Sequence, residues 1–258
     1  MSDIRLGGQG PLNLAGKVAI VSGGSGGIGA ATAQRLAGKG ASVVIGYNKG
    51  RDRADALAAA LPGPGRHMAM CLPMDNSESL RAAASEVERT FGCAHVLVNS
   101  AGTTKAIDHA DLDGLDDETF DAILITNVRG PFATIRAFAP LLKAGGDSII
   151  VNVSSISGET GKGSSIAYCA SKAALDTMGK SLGRVLGPEV RVISIAPAAV
   201  ATDFVPGRGR EGVEKQAAST PLRRVCEPDD VALAILSAVT HLRLSTGTSI
   251  VVDSGRHL

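Results

Sequence analysis

The stretch KVAIVSGGSGGIG, residues 17–29, decides how the rest of the chain is read. Its first six residues are mostly apolar and rich in β-branched side chains, and they run straight into a glycine cluster. Ile28, Thr32 and Leu36 then recur at helical spacing. The order predicted is a buried strand, a tight turn and a helix starting at Gly27. In that setting glycines let the backbone turn sharply and close on a pyrophosphate. The helix N-terminus supplies unpaired N–H groups and the positive end of its dipole. The spacing is Gly23-x-x-x-Gly27-x-Gly29, and Ser22, Ser25 and Ile28 complete the turn.

The same alternation continues outward. Further strands are predicted at residues 42–47, 67–74, 95–100, 148–153, 189–195 and 248–253. Helices are predicted at 51–61, from an Asn76 or Ser77 cap to 90, at 117–143 with Pro131 as a kink, from 164 to 180, and at 228–241. Residues 154–163 and 198–220 read as irregular. Strands that are continuous apolar runs and alternate with helices belong to a parallel sheet covered on both faces. The expected fold is α/β: a doubly wound, mostly parallel seven-stranded sheet in one domain over 14–258, after a flexible tail over 1–13.

Composition narrows the function. The 26 Lys+Arg nearly cancel the 25 Asp+Glu and Trp is absent, which disfavours a nucleic-acid surface. No apolar run approaches the ~18 residues of a membrane span, and the first residues lack the apolar core of a secretory signal. The cysteines (Cys71, Cys93, Cys169, Cys226) are far apart and read as reduced thiols of a cytoplasmic protein. The histidines show no ligand spacing, so no metal is expected.

The chemistry centres on Tyr168 and Lys172, four residues apart and therefore on one helix face. Tyr ionises near ~10 in isolation, and a neighbouring ammonium favours the phenolate, so the pair can act as a tuned general acid/base. Ser155 lies thirteen residues before Tyr168, at the end of the fifth strand, where open α/β sheets bind their ligands. Asn127 stands within the long helix as a polar support. Asn99, Ser100, Ala101 and Gly102 end the fourth strand with small residues that let a cofactor lie close. At the end of the second strand an NAD site would carry an acid; here stand Tyr47, Asn48 and Lys49, then Arg51, and no carboxylate until Asp52. NADP(H) is therefore favoured, with NAD(H) left open.

These motifs, in this order, resemble the short-chain dehydrogenase/reductase family over residues 14–258. The resemblance implies Tyr168 as general acid in reduction and base in oxidation. Lys172 would bind the nicotinamide ribose and lower the Tyr168 pKa, Ser155 would orient the substrate oxygen, and Asn127 would hold a water near Lys172. Asp75 would meet the adenine, Asn99 to Gly102 the adenosine side, and Pro197 with Thr202 the nicotinamide end. Three positions depart from the family pattern: Ser22 in place of Thr, Ser100 in place of Asn, and Ala198 in place of the Gly after Pro197. The implied activity is reduction of a ketone or 3-oxoacyl thioester by a homotetramer, with no nucleic-acid or membrane partner. Two other readings stay open: an NAD-dependent alcohol or sugar dehydrogenase, and a dinucleotide-binding sensor without turnover. Arg208, Arg210, Arg223 and Arg224, near Phe204, read chiefly as solvated charge on a mobile lid, with contact to an anionic substrate as the other reading.

Overall fold

The structure is a computed structural model that describes residues 10–258. Its centre is a seven-stranded sheet in the order β3-β2-β1-β4-β5-β6-β7. The strands are β1 (Val18–Ser22), β2 (Ser42–Tyr47), β3 (Met68–Cys71), β4 (Val96–Asn99), β5 (Ser148–Val153), β6 (Val190–Pro197) and β7 (Thr248–Val252). Every strand pair is parallel, so the expected sheet is wholly rather than mostly parallel.

Strand side chains alternate between the faces, and each face has its own core. On one, Ala19, Val21, Val98 and Val151 meet Ala33 and Leu36 of α1 (Gly27–Gly38) and Val231 and Ile235 of α9 (Pro228–Thr240). On the other, Ile20, Leu97 and Ile150 meet Leu80 and Val87 of α3 (Ser77–Phe91) and Phe138 and Leu142 of α5 (Gly130–Gly145). Asn76 caps α3 by accepting from the N–H groups of Glu78 and Ser79, as its short polar side chain favours. α2 (Arg51–Ala60) follows β2.

Four expectations change. The helix over 117–143 is two helices, α4 (Asp117–Leu124) and α5, joined by a π turn at Ile125–Arg129 in which the Gly130 N–H reaches the Ile125 carbonyl. Pro131 comes directly after the π turn, and because Arg129 and Gly130 are already helical its missing N–H leaves a carbonyl of that turn without the usual donor. The loop over 154–163 holds a short helix, α6 (Ser157–Thr160). The segment over 198–220 holds α8 (Gly209–Ala217), braced by an Arg210–Glu214 pair one turn apart. The third strand stops at Cys71 rather than 74. Of the tail expected over 1–13, residues 1–9 lie outside the described residues. Beyond them, Leu12 packs against the core and its N–H bonds the Thr240 carbonyl at 2.8 Å.

Candidate active site

A cleft of about 1350 Å³ runs along the carboxyl ends of the strands. β1 has β2 on one side and β4 on the other. The connections reverse direction there, and the crevice above such a point is where open α/β sheets take ligands.

One end is built by the glycine turn. Gly23 has φ +64, and a Cβ there would stand 2.7 Å from the Ala101 nitrogen. A Cβ on Gly29 would stand 2.2 Å from the Gly23 carbonyl oxygen. Both positions therefore need glycine for the turn to pack between α1 and the end of β4. The N-cap of α1 is Gly26, with no capping side chain and no acid in the first turn. By contrast Asn76, Asp116 and Ser165 each cap a helix of this fold with a side chain. The first N–H groups of α1 thus face the cleft with their dipole uncompensated, which fits a pyrophosphate.

Gly23, Ser25, Gly27, Ile28, Tyr47, Asn48, Lys49, Asp75, Ala101 and Gly102 all line the cleft. Ser22, Gly29 and Asn99 do not; they stand behind the wall. Ser22 is buried and its Oγ accepts from the Ala101 N–H. Asn99 is buried too, donating to Asn152 Oδ1 at 2.9 Å across the neighbouring strand. These residues shape the backbone that a cofactor would touch.

Arg51 pairs with Asp55 and is exposed, away from the cleft. Arg53, two residues on, faces it instead and donates to Ser25 Oγ at 3.4 Å. The cation that reaches the glycine turn is therefore one the sequence reading passed over. Two residues on a helix turn the side chain by about 200°, which separates the two arginines.

At the other end, α7 (Ile166–Val185) starts at Ser165, which caps it through the Tyr168 N–H. Tyr168 and Lys172 share one face and both line the cleft, as do Ser155, Pro197 and Thr202. The Ser155 hydroxyl is close enough to the Tyr168 phenol to draw its pKa down. Ser155 Oγ accepts from the Ser157 N–H at 3.1 Å, and its own proton is held only by a long 3.4 Å contact to the Pro197 carbonyl. Lys172 Nζ donates to the Val153 carbonyl at 2.8 Å and lies 5.6 Å from the centre of the Tyr168 ring.

In this structure burial, rather than Lys172, has the largest influence on the Tyr168 phenol. Burial pushes the phenol up to about 12, against the pull of the Ser155 hydroxyl and the Arg208 guanidinium. Burial also pushes the Lys172 ammonium down to about 8, with Asp176 opposing. A low-dielectric wall disfavours both charges, and Lys172 sits over the ring rather than at the hydroxyl.

Asn127 does not line the cleft. Its amide nitrogen donates to the Thr103 carbonyl at 2.9 Å and to Ser171 Oγ at 3.0 Å, and its oxygen accepts from the Thr103 N–H at 2.8 Å. The π turn brings this side chain between the loop after β4 and α7. Both amide protons are committed, so the side chain pins two walls of the site together.

A family model described as enoyl-(acyl carrier protein) reductase matches residues 23–257. The chain belongs to the short-chain dehydrogenase/reductase family. Among its relatives in this family, a candidate ketoacyl reductase 2 of the granaticin polyketide synthase from Streptomyces violaceoruber is 39% identical, over 93% of this chain and 96% of the relative. The 3-oxoacyl-[acyl-carrier-protein] reductase FabG of Thermotoga maritima is 31% identical, over 95% of this chain and 99% of the relative. A short-chain dehydrogenase of Burkholderia cenocepacia, solved in complex with NADP, is 34% identical and superimposes with a TM-score of 0.87, covering 96% of this chain and 100% of that one. The protein is thus a nicotinamide-dependent oxidoreductase of the short-chain type.

Against the family pattern, Ala198 has no positive φ, so the loop after β6 does not require the glycine it lacks. Phe204, from the segment after β6, stacks at a tilt on Tyr168 with ring centres 5.9 Å apart. Arg208 lines the same wall. Both were visible in the sequence as loop residues, but nothing local marked them as facing Tyr168.

Proposed function

We propose that the protein is an NADPH-dependent reductase of ketones or 3-oxoacyl thioesters, with Tyr168 as the proton donor. The observation that carries this reading is that Ser155, Tyr168 and Lys172 line one wall of the cleft, with the buried Lys172 ammonium 5.6 Å from the centre of the Tyr168 ring. A bound NADPH would supply the hydride. The chain's own groups do the rest. Ser155 offers its loosely held proton to the carbonyl oxygen, and Tyr168 donates to the same oxygen. A phenol held near 12 keeps its proton throughout the neutral range, as an acid for reduction must. The Lys172 cation stabilises the phenolate as it forms. Asn127 positions Thr103 and Ser171 around this centre. A panel of ketones and 3-oxoacyl thioesters, followed by loss of NADPH absorbance, tests the reading. Binding of NADPH with no turnover of any member would favour the sensor instead.

Arg53 and Lys49, with no acid at the end of β2, support NADPH over NADH. Arg53→Ala is expected to weaken NADPH binding about ten- to hundredfold, the loss of one or two charge-assisted hydrogen bonds, and to leave NADH binding nearly unchanged. Isothermal titration with each cofactor checks this; equal losses for both would refute a 2′-phosphate contact.

We also propose a homotetramer. β7 forms one edge of the sheet, and Val251 is 37% exposed along it; Val185 at the end of α7 is 68% exposed. Such apolar surface asks for cover. Light scattering at micromolar concentration should give four times the chain mass, and a monomer would overturn the assignment. Among the described residues no helix is long and apolar enough to cross a membrane. All four cysteines are free, Cys71 exposed among them, which suits the cytoplasm better than an oxidising compartment.

A further inference from the structure

Arg208 is the feature of the cleft that the proposed chemistry does not use. It immediately precedes α8 and forms part of the wall that holds Tyr168 and Phe204. Its guanidinium carries five N–H donors, of which one hydrogen bond is made, from Nη2 to the Val200 carbonyl at 3.0 Å. Nε is buried without any partner. No carboxylate pairs with it among the described residues, although Asp203 lines the same cleft. Its neighbour Arg210 is different: it is exposed and held by both Glu214 and Glu227. A guanidinium stripped of water on one side and left without an anion is costly, and its planar fork matches a carboxylate.

The guanidinium also acts electrostatically on the Tyr168 hydroxyl, and the hydroxyl acts on it in return. Both line one cleft, and Phe204, four residues before Arg208, stacks on Tyr168, which places the two groups on one wall. A phosphopantetheine thioester carries its phosphate a whole arm's length from its carbonyl. A compact oxo acid brings both groups together.

We infer that Arg208 is a specificity-determining residue that binds a substrate carboxylate, so that the substrates are oxo acids with the carboxylate a few bonds from the reducible ketone. This rests on the reductase reading above and narrows it. The ketone carbon gains the hydride from NADPH, its oxygen gains the proton from Tyr168, and the carboxylate passes through unchanged, giving a hydroxy acid and NADP.

The test compares oxo acids of two, three and four carbons' separation with their methyl esters, using NADPH and the full chain. For at least one separation, kcat/KM for the acid should exceed that for the ester about ten- to hundredfold, as one charge-assisted pair allows. In Arg208→Gln this acid-to-ester ratio should fall to about one, and Arg208→Lys should restore part of it. A purely structural role, holding the Val200 carbonyl, would lower acid and ester together and keep the ratio; that result would overturn the inference. A wild-type ratio near or below one at every separation would overturn it without any variant, leaving the reductase reading in place. No turnover of acid or ester while NADPH binds would sink both.

Discussion

Tyr168→Phe should lower reductive kcat/KM by about a thousandfold, within the range that a positioned general acid contributes, while NADPH binding survives. The substitution removes one oxygen and keeps the ring that stacks on Phe204 and lies over Lys172. The fold and cofactor end should therefore be untouched, and cofactor titration beside steady-state kinetics separates the effects. Wild-type activity in the variant would overturn the assignment of Tyr168. The pH dependence of the parent enzyme has a definite sign. Below about 8 Lys172 is charged and Tyr168 protonated, so reductive kcat/KM should be level. As pH rises through about 8 the ammonium is lost, and with it the stabilisation of the forming phenolate. The rate should decline there, well before the phenol itself titrates.

Gly29→Ala should damage the other end of the cleft. The added methyl meets three atoms of the Gly23–Gly24 peptide: the Gly23 oxygen at 2.2 Å, the Gly23 carbonyl carbon at 2.8 Å and the Gly24 Cα at 2.9 Å. No rotamer relieves a clash with main chain, so the glycine turn must move away from α1. Overpacking of this kind costs about 1–3 kcal/mol, which for a chain of this size lowers Tm by several degrees. Displacing the turn should also reduce NADPH affinity at least about tenfold. Gly26→Ala is the comparison, because a Cβ there meets nothing within 4 Å. Its Tm should stay close to the parent's. Equal melting of all three proteins would show that the turn does not depend on Gly29.

The fold was legible because its strands are apolar on both faces and its turns are rich in glycine and proline. Where element limits slipped, apolarity had marked burial rather than strand. Leu72 and Met74 are buried, yet they lie beyond the last ladder pair of β3. Residues 125–129 read as ordinary helix, and only Pro131, two residues beyond them, marked the neighbourhood of the π turn. In the site, the spacing of Tyr168 and Lys172 showed which charges would be neighbours. It could not show how far both would be buried, and burial set the direction of both pKa shifts. Arg53 was missed for a rotational reason, since only the fold shows which face of α2 looks at Ser25. Arg208 and Phe204 belong to a segment whose path depends on α8, and its polar sequence resembled plain loop.

The strand order also bears on how such a protein can diverge. β1 and β2 deliver the glycine turn, Lys49 and Arg53, whereas β6 delivers Phe204 and Arg208 from the opposite half of the sheet. Between them stand β4 and β5, whose ends carry Ala101 and Ser155. On the readings proposed above, drift around Arg208 would retune which molecules are accepted, whereas Thr202, earlier in the same segment, stands over Gly27 of the glycine turn and ties the segment to the coenzyme end. On the same readings, drift at the start of α2 would change coenzyme preference while Tyr168 and Lys172 stay as they are. One chain thus contains two inheritances that meet where Thr202 stands over the glycine turn.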